Sequence, residues 1–198
     1  MKASVDETGK KMGMWLFLYT EIILFGGLFV LYAVYFSRFT ADFIQGGKQL
    51  SLFFGAFNTV ILLLSSFTVA ASITAVQKGQ KKAAVMNLLV SILCGVVFLI
   101  NKYVEWGEKI HHGIYPNSDT LTGMSSGQNI FFGLYYVITG LHGLHIIIGL
   151  ILLLVALFAV SSGRVTASRF MLLENSGLYW HLVDLIWIFI FPLFYLVI

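Results

Sequence analysis

Charge constrains this chain more than any other feature. Of 198 residues, 12 are Lys or Arg and 9 are Asp or Glu. They avoid five stretches, 12–37, 49–77, 83–101, 120–163 and 170–198, which hold only Glu21, Glu174 and Asp184. A hydrocarbon core about 30 Å thick is crossed by roughly 20 helical residues, and each stretch approaches or exceeds that length. Membrane-crossing strands would need alternating polar positions, which these stretches lack. With 59% hydrophobic residues and a mean hydropathy of +0.90, the chain is neither a soluble globular domain nor a disordered one. The expectation is an all-α fold, a polytopic transmembrane bundle of five helices at approximately 13–36, 51–76, 83–104, 129–160 and 173–197. They form a single membrane domain over 1–198, with no room for a soluble one.

Smaller features narrow the class. The single cysteine, Cys94, excludes an intrachain disulfide framework or a thiolate metal cluster and reads as a small buried residue. A net charge of +3 carried in loops does not indicate nucleic acid. The polar start, Met1 to Lys11, precedes an apolar stretch too long for a signal-peptide core and without an A-x-A site, so the first helix is read as retained. The longest connection, between the third and fourth helices, carries Gly113, Pro116, Asn117, Asp119, Gly123 and Gly127 and reads as a polar surface loop. Lys2, Lys10, Lys11, Lys78, Lys81, Lys82, Arg164 and Arg169 fall on one side, against Arg38, Lys48, Lys102 and Lys109 on the other. That bias predicts a cytoplasmic N-terminus and an external C-terminus.

Ionisable groups at the centre of a membrane helix cost about 2.5–3.5 kcal/mol on insertion scales, so each needs a partner, a neutral state or a function. Glu21 lies ten residues past Lys11, about 15 Å along a helix and near mid-membrane. Two readings stand side by side, a proton-handling or lipid-contacting carboxyl and a protonated carboxyl hydrogen-bonded between helices. On the fifth segment, Glu174, His181 and Asp184 share an arc of about 80°, with Trp180 and Trp187 on a neighbouring stripe. With no nucleophile at that depth, the spacing favours a structural polar cluster over a catalytic dyad.

The fourth segment reads TGLHGLH. His142 and His145 lie on one face beside Gly149, while Gly133, Gly140 and Gly143 form another on which a helix can approach closely. Two histidines do not complete a metal site, and no metal ligand set is expected. They read as hydrogen-bond donors within the bundle or to a lipid headgroup, with a haem held against His181 as the rival reading. Asn58, Ser65 and Ser72 recur every seven residues as a polar packing stripe. Pro192 removes a backbone donor near the chain end. His111 and His112, beside Glu105 and Glu108, read as a solvated loop, with a surface zinc site as the alternative.

Taken together, the runs GMWLFLYTEIILFGGLF, NTVILLLSSFTVAAS, TGLHGLHIIIGL and ENSGLYWHLVDLIWIFIF resemble, in order and spacing, the subunit III family of haem-copper oxidases. The resemblance covers the chain from about Gly13 to the end. It implies a subunit without redox centres of its own, haem and copper lying in partner subunits. Such a subunit packs beside catalytic subunit I, with subunit II and smaller subunits, and supports proton uptake, stability and binding of a structural phospholipid. The resemblance places Glu21 on the family's buried helix carboxylate, His142 and His145 on its histidine-rich motif, and Arg164 near an arginine that contacts lipid phosphate, so that Arg164 joins the two histidines as a candidate for the lipid headgroup. The two extra N-terminal helices of the seven-helix mitochondrial form are missing here, which implies the short bacterial version in an inner (plasma) membrane. Glu174 and the Trp180–Trp187 run resemble the cytochrome c oxidase branch; quinol oxidase and nitric-oxide-reductase-associated homologues are the alternatives within the family. Outside it, the rivals are an independent b-type membrane cytochrome and a small transporter using Glu21.

Overall fold

The computed structural model describes residues 2–197, without the side chains of residues 2–8 and 10; Met1 and the side chains of Lys2 and Lys10, which entered the charge count, therefore lie outside the described residues. Among the described residues, seven helices follow one another: α1 Lys2–Arg38, α2 Thr40–Gly47, α3 Leu52–Gln77, α4 Lys81–His111, α5 Asp119–Thr122, α6 Ser126–Ser161 and α7 Met171–Tyr195. Five are long and apolar enough to cross a membrane, with the first span taken from Lys11. The only pairing of extended backbone among the described residues is an isolated bridge, Thr166 to Arg169, in the α6–α7 turn.

The long helices alternate in direction, so that one end of the bundle, the near end, gathers Lys11, the α3–α4 turn and the α6–α7 turn. Lys11 and Glu174 form an ion pair across it at 3.6 Å. The α3–α4 hairpin is the most extensive helix pair; α7 lies on α3 and α6, and α1 sits at the edge against α6, α7 and α2. Lipid tails are as apolar as leucine, so close van der Waals fit and hydrogen bonds, rather than burial alone, choose which faces meet. Polar and small residues mark those faces. The stripe of Asn58, Ser65 and Ser72 is buried throughout: Asn101 donates to Asn58 at 2.9 Å, Ser65 donates to the Ser91 carbonyl at 3.1 Å, and the Thr68 and Ser91 hydroxyls lie 2.6 Å apart.

The α6 glycine face turns out otherwise. Gly133 and Gly143 have open space beside them, and Gly140 meets only the edge of Trp106. The close approach is on the opposite side, at Gly149, where a Cβ would stand 2.7 Å from Trp180. Aromatic bulk on α7 selects the glycine it can enter. Cys94 is half-buried rather than enclosed.

The far end is more structured than a polar loop. α4 continues to His111, well beyond position 104, and α5 sits in the following turn. Ser118 caps α5 by accepting from Leu121 N, and Tyr136 donates to the Ile114 carbonyl at 2.6 Å. The short α2 folds back over the N-terminus of α6. There Ser125 caps α6 and donates to Asp42 at 2.7 Å, which sets a carboxylate against the positive end of the helix dipole. A Cβ on Gly127 would stand 2.3 Å from that carboxylate. Gly127→Ala is therefore expected to detach Asp42 from the α6 N-terminus and lower stability by about 1–3 kcal/mol, read by thermal denaturation; an unchanged midpoint would contradict this packing.

Candidate functional site

Glu21 lies on the inward side of α1, mostly covered by protein, and it is not alone. Its Oε2 is 2.9 Å from Nε2 of His145 on α6. His145 Nδ1 is 2.7 Å from the Leu141 carbonyl, which can only accept, so Nδ1 carries a proton. The pair then has two arrangements. Either Nε2 also carries a proton and donates to a carboxylate, or Glu21 carries it and donates to Nε2. In both, one proton occupies the 2.9 Å gap and the pair is neutral overall, which is how a carboxyl is accommodated in a bilayer. Phe25 meets the imidazole edge-on at 5.3 Å, Tyr179 stacks along it at 6.5 Å, and the Tyr179 hydroxyl donates to the His145 carbonyl at 3.3 Å. Three helices thus hold one proton-bearing pair in an apolar setting. Glu21 and His145 are 124 positions apart, and nothing local in sequence announces the contact.

His142 lies one turn away and is 0% exposed, its ring between Phe98 at 5.5 Å and Trp187 at 5.3 Å, with neither nitrogen hydrogen-bonded. This corrects the headgroup expectation for both α6 histidines: one is sealed in the aromatic core and the other is engaged by Glu21.

The α7 cluster is dispersed as well. Glu174 turns to Lys11 at the near end. His181 Nδ1 contacts Ser66 of α3 at 2.6 Å instead of bonding Asp184. Asp184 is buried with Oδ1 unpartnered. A shared helix arc does not make one cluster of these three: Glu174 reaches α1, whereas His181 and Asp184 both lie beside Ser66 of α3 without bonding each other. His181 still fastens α7, but through α3. Arg164 is exposed at the near end, where with Arg169 it flanks an apolar groove of about 560 Å³ lined by Val155, Phe158, Met171 and Leu172.

Among the described residues, no three His, Cys, Asp or Glu side chains converge as metal ligands. His111 and His112 are exposed as read, but they close α4 rather than lie in a loop, and Glu105 turns into the protein instead of joining them. Lys102, counted among the far-side charges at the end of the third helix, is buried within α4. These are the residues that the sequence reading missed. The signal available was an opposite-charge pair at i and i+3 immediately past an apolar stretch, which can neutralise itself within one turn.

Compared with known proteins, residues 2–197 match the sequence profile described as cytochrome c oxidase subunit III. The chain belongs to that family. Its relatives include the cytochrome bo(3) ubiquinol oxidase subunit 3 of Buchnera aphidicola, 29% identical over 97% of this chain and 88% of the relative. The quinol oxidase subunit 3 of Bacillus spizizenii is 31% identical over 96% and 89%. The cytochrome c oxidase subunit 3 of Thermostichus vulcanus is 30% identical over 93% and 86%. Membership explains why the site is spare. A subunit III is one component of a membrane oxidase complex, and this chain is a multi-pass membrane protein of that complex. Quinol and cytochrome c oxidase subunits match it at the same level of identity, so the preference for the cytochrome c branch drawn from Glu174, Trp180 and Trp187 is not separated by the comparisons.

Proposed function

We propose that this chain is the non-catalytic third subunit of a respiratory terminal oxidase, in which partner subunit I, with subunit II, carries haem and copper, reduces O2 to water and pumps protons. The observation that carries the reading is the match to subunit III across residues 2–197. Electron-donor choice, cytochrome c or quinol, then belongs to the other subunits. The near end faces the cytoplasm of a bacterial inner membrane and the far end faces outward, because Lys11, Lys78, Lys81, Lys82, Arg164 and Arg169 collect at the near end. Inward placement of Lys102 removes one charge from the far side and strengthens that bias.

A structural phospholipid occupies the near-end groove, with acyl chains against Val155, Phe158 and Leu172 and phosphate at Arg164 and Arg169, whose guanidinium forks suit phosphate oxygens. Each basic residue contributes about 1 kcal/mol toward an anionic headgroup, so the double Ala variant is expected to weaken retention of anionic phospholipid roughly thirtyfold. Lipid extracted from the purified complex measures this, and equal lipid content would refute the assignment.

The function itself is tested by affinity purification through this chain. The expected result is a co-purifying chain with a reduced-minus-oxidised haem spectrum and O2 uptake. A haem-free isolate with no partner would overturn it, and a haem spectrum from this chain alone would favour the independent cytochrome.

A further inference from the structure

At the far end, Lys102 and Glu105 are 7% and 2% exposed, one turn apart on α4. Lys102 is 20 residues past Lys82, about 30 Å along the helix and so at the outer edge of the hydrocarbon core. Its Nζ donates to Glu105 Oε2 at 2.9 Å, to the Tyr135 hydroxyl at 3.0 Å and to the Tyr195 hydroxyl at 3.0 Å. Both hydroxyls donate to Glu105 Oε1, Tyr135 at 2.9 Å and Tyr195 at 2.6 Å. An ammonium has three protons and each phenol has one, so every donor is used and both oxygens of the carboxylate accept. The rings of Tyr135, Trp187 and Tyr195 stand 4.9, 5.6 and 5.6 Å from the ammonium, close enough for cation–π attraction.

The network is closed. Each of its N–H and O–H donors is used inside the cluster, so its hydrogen bonds serve to hold the helices that supply them. It joins three helices: the ions come from α4, one phenol from α6, and the last phenol from the final turn of α7. We propose that Lys102, Glu105, Tyr135 and Tyr195 form a latch that makes docking of the last helix the step that completes the masking of an intramembrane charge pair. Until α7 docks, Lys102 lacks one acceptor and Glu105 lacks one donor, in a medium that supplies neither. The latch therefore selects the correctly docked α7. Removing one ion leaves the other uncompensated, whereas removing both leaves nothing to mask.

The test is a mutant cycle in the full-length chain, isolated with its co-purifying subunits, comparing Lys102→Met, Glu105→Leu, the double variant, and Tyr195→Phe in the native and double backgrounds. Unfolding in graded dodecyl sulfate and protease cleavage of the C-terminus are the readouts. Each single charge removal is expected to raise the unfolding constant roughly a hundredfold or more, and the double variant to stay within about tenfold of the native chain. Tyr195→Phe is expected to cost about tenfold in the native background and less than about twofold in the double. Additive singles, or an equal cost of Tyr195→Phe in both backgrounds, would overturn the latch. Should the single variants fail to accumulate, the double variant must still accumulate and show the reduced Tyr195→Phe effect; its failure to do so would also overturn the latch.

Discussion

Trp180→Ala is expected to lower the stability of the bundle by about 3–5 kcal/mol, because it empties the place where four helices meet. The indole is 1% exposed. A Cβ on Gly95 of α4 or on Gly149 of α6 would stand 2.7 Å from its ring, and its Nε1 donates to Ser65 of α3 at 2.9 Å. The gain at this junction is contact rather than escape from water, since lipid would cover an undocked Trp equally well. The cost of the substitution is consequently the lost dispersion of a close-packed ring plus one hydrogen bond. Thermal denaturation of the complex in detergent should show the largest fall for Trp180→Ala. Trp180→Phe, which keeps most of the volume, should show a smaller fall. Gly149→Val, which overfills the same slot, is expected to cost about 1–3 kcal/mol. A Trp180→Ala midpoint within a degree of the native one would mean that the junction does not hold the helices.

His145→Leu is expected to be the most damaging change at the Glu21 site. It strands a carboxyl in the membrane with no partner among the neighbouring side chains Phe25 and Tyr179, whose hydroxyl is bonded elsewhere, and breaking a buried pair from one side costs about 3–5 kcal/mol. Glu21→Gln should separate structure from chemistry. Its amide can still donate to Nε2, so α1 stays docked and the complex assembles, but the proton in the gap then belongs to an amide and can no longer be transferred. Under the function proposed above, the Glu21→Gln oxidase should start at native turnover and then change in proton uptake or lose activity sooner during prolonged turnover. Native behaviour across pH and over long assays would reduce the pair to a fastening between α1 and α6. A chain that does not assemble with Glu21→Gln would show that the ion pair, rather than the hydrogen bond, holds α1.

The two sites stand differently toward the sequence. The five spans were legible because a bilayer imposes one requirement, a long charge-free helix, that needs no knowledge of neighbours. The α3 stripe was legible for a related reason: polar side chains at a seven-residue interval have to meet a partner helix when lipid offers no hydrogen bonds. Reading charges as markers of water then misplaced the end of α4. Lys102 and Glu105 neutralise each other within one turn, and Tyr135 and Tyr195 complete their hydrogen bonds, so the helix stays buried where the hydropathy pattern stops.

What remained hidden was which groups pair. In a soluble helix, apolar periodicity separates the inner face from the outer. Here both faces are apolar, and Phe57 and Leu62 on α3 look alike in sequence although the first is exposed and the second fully buried. Five membrane helices, their alternation and the residues carrying rare intramembrane charge followed from composition along the chain, since the cost of charge in lipid acts on each residue alone. The partner of Glu21, the release of His181 from Asp184 to Ser66 and the closing of the Lys102 network by Tyr195 were decided by helix packing, because hydrogen bonds and ring contacts depend on the rotation and depth of one helix against another.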